Sequence, residues 1–265
     1  MSKHLFAIFG NPVSHSKSPL MHNLAFRGLK IDACYTRYLL ENGGKLKDKF
    51  FELGLKGINI TVPHKEYAYQ ACDELDPFAQ KVGAVNTIVE RDGKLYGYNT
   101  DAPGFLKAIS EFNGAKKVLF LGAGGTAQST SMILKEAGYD VTILNRSEGR
   151  LVRYQEAGFE TYTFENFKIQ EYDLVINMTS AGLEDDSLPC PKEFLDEVIP
   201  SAKACIDIIY GKDTPFLKLA KAHNKPTKDG ADMLLYQGVI AFEYFTDNAY
   251  KFHEIIPYMK RAFIL

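Results

Sequence analysis

Four short stretches of this chain carry side chains suited to chemistry. Residues 58–68 read INITVPHKEYA: a run of apolar and β-branched residues breaks at Pro63, and Lys65 follows two positions later. A single lysine is by default a solvated surface residue. One held just past the end of a buried strand can instead donate a proton, or accept one when neutral. Residues 122–127, GAGGTA, follow the strand-like KVLFL and open a helical stretch. Gly122, Gly124 and Gly125 permit a tight turn and close approach of backbone to a pyrophosphate, with Ala123 and Thr126 completing the loop before Ala127. The ligand's charge then faces a helix N-terminus. Such a turn also exists without a ligand, but its place between a buried strand and a helix favours a dinucleotide. The next strand, DVTIL, ends in Asn145-Arg146-Ser147, with Arg150 one helical turn on. An NAD site usually carries Asp or Glu about 20 residues past the glycines. A carboxylate there would repel a ribose 2′-phosphate, whereas two guanidiniums and a hydroxyl would bind it, so these residues predict NADP. Finally, GNPVSHSKSPLMHN (10–23) sets Ser16 and Ser18 beside Pro19 at a helix start. There a hydroxyl serves as an N-cap, or the pair grips a polyol or a carboxylate.

The elements that must hold these residues alternate between strand and helix patterns. Strands are expected at LFAIF (5–9), ACYTRYL (33–39), GINIT (57–61) and AVNTIVE (84–90), the last followed by the turn Arg91-Asp92-Gly93 and a short partner, KLYGY. Helical stretches fall at 19–28, 44–53 and 65–72. A second series begins at 117 with KVLFL and continues through DVTIL, YDLVINMTSAG and KACIDIIYG. Strands separated by helices argue for βαβ units and mostly parallel sheets. The expected fold is therefore two-domain α/β. An N-terminal α/β substrate domain with a mostly parallel sheet spans 1–101, and a Rossmann NADP-binding domain spans 102–237. A helix should start near Asp101, and the stretch from Gly230 onward has helical apolar spacing. A last helix is expected at 251–264, in a C-terminal segment, 238–265, that by pattern alone could return to either half.

Composition narrows the partners. The 265 residues are 46% apolar and 24% charged, with net charge −2, which gives no electrostatic reason to expect nucleic acid or an anionic membrane. No apolar run approaches the roughly 18–20 residues that span a bilayer. The apolar stretch Leu5–Phe9 is too short for a signal peptide. Cys34, Cys72, Cys190 and Cys205 lie far apart, with no CxxC and no adjacent histidine pairs. Reduced thiols in a cytoplasmic protein, and no metal site, are the expectation.

Taken in order, GNPVSHSKSP, NITVPHK, GAVNT, GYNTD, GAGGTA, NRS, INMTSAG and DGADMLLYQ resemble the shikimate dehydrogenase family nearly from end to end. The resemblance implies reversible NADP-linked reduction of 3-dehydroshikimate to shikimate, in the pathway to aromatic amino acids. It implies a small-molecule substrate in a cleft between the two domains, a C-terminal helix returning to the first, and a monomer or homodimer. By the same resemblance Lys65 and Asp101 are the catalytic pair, Lys65 as the acid and Asp101 orienting its ammonium through a charge-assisted hydrogen bond. With them, Ser16, Ser18, Asn59, Thr61, Asn86, Thr100, Tyr210 and Gln237 hold the substrate's carboxylate and hydroxyls. Gly122, Gly124, Gly125, Asn145, Arg146, Ser147 and Arg150 match the cofactor site, with Ile208, Gly230 and Met233 near the nicotinamide.

Three residues depart from the family pattern. Ser147 replaces a commoner threonine but keeps the hydroxyl. Met178 stands where a small residue is usual, and Pro77 where some members carry an acid, so no role is carried to it. Other functions fit less well. A quinate/shikimate dehydrogenase that also uses NAD is disfavoured by Asn145-Arg146-Ser147, and a non-catalytic NADP-binding regulator by the intact Lys65 and Asp101. A folate-type dehydrogenase would call for a more aromatic pocket than the serine pair and GYNTD provide.

Arg146→Ala should raise the KM for NADP and barely change that for NAD, a loss of about 1.5–3 kcal/mol if the contact is a hydrogen bond to a charged group. Equal losses with both cofactors, in parallel kinetics, overturn the 2′-phosphate assignment.

Overall fold

The structure is a computed structural model that describes residues 4–264. Its first sheet is built from β1 (His4–Gly10), β2 (Ala33–Leu39), β3 (Gly57–Ile60), β4 (Glu74–Leu75), β5 (Thr87–Arg91) and β6 (Lys94–Tyr98). Phe6 to Gly10 and all of β3 are buried, the near-continuous burial expected of strands covered on both faces. The strand order is β2-β1-β3-β5-β6-β4. The β1–β2, β1–β3 and β4–β6 ladders are parallel, while β5 runs antiparallel to both of its neighbours. The hairpin to β6 turns at Asp92 and Gly93, with φ of 51° and 79°, the pair of left-handed residues that a tight Asp-Gly turn demands. Because β5 is antiparallel to both neighbours, its start lies beside the ends of β3 and β6. Accordingly, the Ile60 N–H donates to Asn86 O at 2.8 Å, and the Asn86 N–H donates to Tyr98 O at 3.0 Å.

Aromatic residues dominate one core of this unit, where Phe6, Phe26 and Tyr35 pack with Leu235, Val239 and Phe242 of the helix Ala231–Phe245. Aliphatic residues such as Ile58, Ile60, Val85 and Ile88 form the other. The unit runs to Gly104 and resumes at Leu234; Phe105–Met233 form the second.

The second sheet comprises β7 (Lys117–Leu121), β8 (Asp140–Leu144), β9 (Glu160–Tyr162), β10 (Leu174–Asn177), β11 (Ala204–Asp207) and β12 (Thr227–Lys228). Its order is β12-β11-β10-β7-β8-β9 with every ladder parallel. Numbered within the unit this is 3-2-1-4-5-6 read from β9, the doubly wound order whose switch point lies between β7 and β10.

Several boundaries differ from the sequence pattern. The strand expected at 84–90 starts only at Thr87, because the Val85 N–H donates to Lys65 O rather than to a ladder. The stretch 44–53 divides into a 3₁₀ turn, Gly43–Lys45, and the helix Leu46–Glu52. The last helix is Phe252–Met259, followed by 3₁₀ geometry over Lys260–Phe263. Strands β4, β9 and β12 are two or three residues long, too short to show a period. Pro77 has a structural use: it follows the N-cap Asp76 at the first position of the helix Pro77–Val82, where a missing N–H breaks no helical bond. Among the described residues no helix is long and apolar enough to cross a membrane.

Asp173 ties the start of β7 to the approach of β10. Its carboxylate accepts from the backbone N–H groups of Lys117 and Lys116 at 2.9 and 2.7 Å and from the Lys203 ammonium at 2.9 Å. Those backbone hydrogen bonds first, and Lys203 after them, pull its pKa from 3.8 to about 2. A carboxyl held below its unfolded value stabilises the fold above about pH 4 and loses that contribution as pH falls toward 2. Asp173→Asn should therefore lower the melting temperature at pH 7, by about 1.5 kcal/mol of stability for a partly solvated group. The gap from wild type should close near pH 2; a gap independent of pH, measured by thermal melts across that window, contradicts the assignment.

Candidate functional sites in the two units

Both members of the ion pair in the first unit begin helices. Lys65 opens Lys65–Ala71 and Asp101 opens Asp101–Ile109. The Lys65 Nζ lies 2.5 Å from Asp101 Oδ2, with side chains 20% and 12% exposed. Their backbones are anchored to one segment. Lys65 O accepts from the Val85 N–H at 3.1 Å, and the neighbouring Asn86 Oδ1 accepts from the Thr100 N–H at 2.7 Å. The Asn86 Nδ2 also donates to Thr100 Oγ1 at 3.0 Å.

Behind Asn86 the hydrogen bonding continues inward. Thr87 Oγ1 lies 3.2 Å from Thr100 Oγ1 and accepts from Asn59 Nδ2 at 2.9 Å, while Asn59 Oδ1 accepts from the Tyr35 hydroxyl at 2.7 Å. Tyr35, Asn59, Asn86, Thr87 and Thr100 are all buried, so each of their polar atoms needs a partner. His22 stacks flat on Tyr35, ring centres 4.3 Å apart, and burial lowers its pKa to about 3, so it is neutral at physiological pH. What the network leaves over is reactive capacity: two ammonium protons on Lys65 and one amide proton on Asn86.

The remaining residues expected at this site share the first unit. Ser18 begins the helix Ser18–Gly28, and its side chain caps nothing: the N-cap residue is Lys17, with no side-chain cap. Ser16 Oγ accepts from the Ser18 N–H at 3.2 Å, a local turn bond. Thr61 continues from β3, its N–H bonded to Phe9 O at 2.9 Å. Gln237, 7% exposed, sits on Ala231–Phe245 where a Cβ on Gly104 would come within 2.6 Å of its backbone nitrogen. Tyr210 is different. It belongs to the second unit, on the chain after β11, so its expected role rests on resemblance alone.

In the second unit the glycine loop opens the helix Gly125–Glu136, whose N-cap, Gly124, supplies no side chain and whose first turn has no acid. Its first N–H groups and positive dipole end are available to an anion. Gly122 has φ of 108°, and a Cβ there would strike Thr179 Cγ2 at 2.5 Å. A Cβ on Gly124 or Gly125 would meet nothing within 4 Å, so these two front open space into which a phosphate can come close. The Tyr154 hydroxyl fixes the loop from behind, donating to Gly124 O at 3.1 Å. Asn145, Arg146 and Arg150 border a cavity of about 830 Å³. Asn145 Nδ2 shapes the turn by donating to Ser147 O at 2.8 Å. Neither arginine has an ion-pair partner among the described residues, whereas Arg91 pairs with Asp247. Of the acids on the same cavity, Asp185 is committed to Ser187 and the Gly182 N–H. These residues fit a dinucleotide carrying an extra phosphate.

Ile208, Gly230 and Met233 border one depression in this unit, and Gly230 presses so close that a Cβ would lie 2.0 Å from Ile208 O. Met178, the departure from family pattern, is buried in the core with Phe120 and Ile206. Among the described residues no group of three or more His, Cys, Asp or Glu is placed to hold a metal.

Three supporting residues are given no role by the motifs, although Thr87 is itself the last residue of GAVNT. Thr87 and Tyr35 link the first unit's network. Asp207, fully buried, accepts from Thr214 Oγ1, Ile209 N–H and Asn177 Nδ2 at 2.7, 3.0 and 3.0 Å, and burial raises its pKa. It binds the loops after β10 and β11 to each other. Its one trace in the sequence is an aspartate ending an apolar strand.

Residues 8–88 match the profile of the shikimate dehydrogenase substrate binding domain. The chain is 44% identical over 247 residues to a shikimate dehydrogenase (NADP(+)) from Helicobacter hepaticus, covering 92% of each. It is 41% identical over 262 residues to one from Helicobacter pylori, covering 97% of this chain and 98% of that one. The crystal structure of shikimate 5-dehydrogenase from Thermus thermophilus in complex with NADP(H) and shikimate superposes with a TM-score of 0.84 at 35% identity, covering 98% of this chain and 99% of that one.

Thr87→Val keeps the shape of the side chain and removes the hydroxyl that Asn59 needs. It should cost about 1–3 kcal/mol, the penalty for stranding a buried polar group. An unchanged denaturation midpoint would show that the network carries no stability.

Proposed function

The chain belongs to the shikimate dehydrogenase family, and we propose that it catalyses the reversible NADP-linked reduction of 3-dehydroshikimate to shikimate. It is an oxidoreductase of aromatic amino acid biosynthesis. The observation that carries the chemistry is the largely buried Lys65–Asp101 pair at the sheet end where Asn86 and Thr100 are locked. The cofactor, when bound, supplies or takes the hydride. Lys65 donates a proton to the oxygen that gains charge on reduction, and its neutral form accepts that proton in the reverse direction. Asp101 accepts one ammonium hydrogen bond and so aims the other two. Because Lys65 answers charge that develops only during reaction, its contribution falls mainly on the transition state.

In this reading Asn86 donates its spare amide proton to a substrate hydroxyl, and Ser16, Ser18, Asn59, Thr61, Thr100 and Gln237 complete the grip within the first unit, while the substrate role proposed for Tyr210 rests on resemblance alone. The first unit takes the substrate. The second takes NADP, its pyrophosphate at the Gly124–Gly125 opening and its 2′-phosphate between Arg146 and Arg150, with Ser147 offering the hydroxyl of the commoner threonine. The two unpaired guanidiniums argue against a preference for NAD. We place the protein in the cytoplasm, where its four unpaired cysteines stay reduced, and take it to act as a monomer or homodimer.

NADP⁺ reduction followed by absorbance with shikimate, with quinate and without substrate tests the reaction; turnover is expected with shikimate, and its absence overturns the proposal. Lys65→Met, which keeps the aliphatic stem, should lower kcat by roughly 10²–10⁴-fold. Direct binding of shikimate and NADP should change far less. Turnover near the wild-type rate in that variant would make Lys65 a bystander.

A further inference from the structure

Arg37, on β2, is a cation the proposed chemistry leaves unused. Its Nε and Nη2 both donate to the Ser16 carbonyl, at 3.2 and 2.5 Å, and it has no ion-pair partner among the described residues. An exposed arginine normally finds a carboxylate or stays in water; this one commits two donors of its fork to a single backbone oxygen and keeps its full charge. The carbonyl it clamps belongs to one of the two serines proposed to hold the substrate.

Around that clamp the groups are suited to an anion. Ser16 and Ser18 are 7% and 3% exposed. Ser16 Oγ already accepts the Ser18 N–H, so its own proton is free to donate outward, and the Ser18 hydroxyl has no hydrogen bond among the described residues. Ser18 also begins an eleven-residue helix, Ser18–Gly28, with no side-chain cap and no acid in its first turn. The Ser18 N–H is taken by Ser16 Oγ and Pro19 has none, so the positive end of the helix dipole and the Leu20 N–H are what this terminus offers to negative charge. The adjacent cation, Lys17, is turned elsewhere: its Nζ reaches Ala262 O at 3.5 Å and lies over the Phe263 ring.

We propose that Arg37 is a positioning and specificity-determining residue for the acid group of the substrate. By clamping the Ser16 carbonyl it sets the Ser16 and Ser18 hydroxyls toward the carboxylate, and its unneutralised charge favours the acid over a neutral analogue. This rests on the proposed function, in which the carboxylate is the one anionic group of the substrate.

The test compares wild type, Arg37→Lys and Arg37→Gln with shikimate and with its uncharged methyl ester, at saturating NADP⁺. Arg37→Gln should raise the KM for shikimate about tenfold, the effect of losing one favourable charge interaction, while kcat and the KM for NADP stay within about twofold. The KM for the methyl ester should move by less than about twofold, so the preference for the acid falls by nearly the whole tenfold. Arg37→Lys, which keeps the charge and loses the fork, should fall between. Equal losses with acid and ester would make Arg37 a brace of the loop and overturn the charge assignment. No change with either would make it a surface residue. A wild-type protein that oxidises neither compound overturns the proposed function itself, whereas an active wild type with an indifferent Arg37→Gln overturns only the role of Arg37.

Discussion

The hydrogen bonds between Asn86 and Thr100 hold two strand ends together, and the geometry of the first unit's site depends on them. Asn86 accepts from the Thr100 N–H and donates to its hydroxyl, in a position where neither residue reaches solvent. Left unmade, each bond would strand a desolvated group, and that penalty is larger than the net gain of making it. The constraint is therefore stiff. Thr100 immediately precedes Asp101, so it sets where the helix Asp101–Ile109 begins and where its carboxylate lies. One residue before Asn86, the Val85 N–H holds the carbonyl of Lys65. Both ends of the ion pair thus take their positions from two consecutive residues. A long flexible ammonium gains precision because its backbone and its counter-ion share one anchor.

The price of that arrangement is a buried polar chain that must be satisfied to its end. Thr87, Asn59 and Tyr35 extend it inward until it meets the aromatic core, where His22 stays neutral against the Tyr35 ring. In the second unit Asp207 plays a comparable part: three donors surround a carboxylate that burial would otherwise destabilise. Within these networks Thr87, Tyr35 and Asp207 spend their polar atoms on protein partners. Each network converts the loops at the ends of parallel strands, which are ordinarily mobile, into supports for the proposed site residues.

The second unit relies on a different kind of constraint, the withholding of groups. No side chain caps the helix after the glycines, no acid occupies its first turn, and among the described residues no carboxylate neutralises Arg146 or Arg150. Such positions are left to water and remain open to an anion. The departures from family pattern respect this logic. Ser147 keeps the hydroxyl, Met178 directs its bulk into the core, and Pro77 opens a helix capped by Asp76.

By itself the sequence determined whatever depends on neighbours along the chain. Alternating strands and helices, the glycine loop at a strand–helix junction, and the missing acid after DVTIL are local patterns, readable because backbone sterics and charge act over a few residues. The order of motifs was specific enough to identify a resemblance and, through it, to pair Lys65 with Asp101. What remained hidden was which partner each buried polar residue takes. The threonine that ends GAVNT is given no role there, and a tyrosine inside ACYTRYL reads as an ordinary aromatic strand residue. Asn59 and Thr87 are 28 positions apart, and Lys65 and Asp101 are 36. The turn Arg91-Asp92-Gly93 already marked β5 and β6 as a hairpin; only the tertiary structure decided that β5 also runs antiparallel to β3, and so that its first residues meet the ends of both. Strand direction and register come from packing against distant segments, and spacing along the chain carries no record of them.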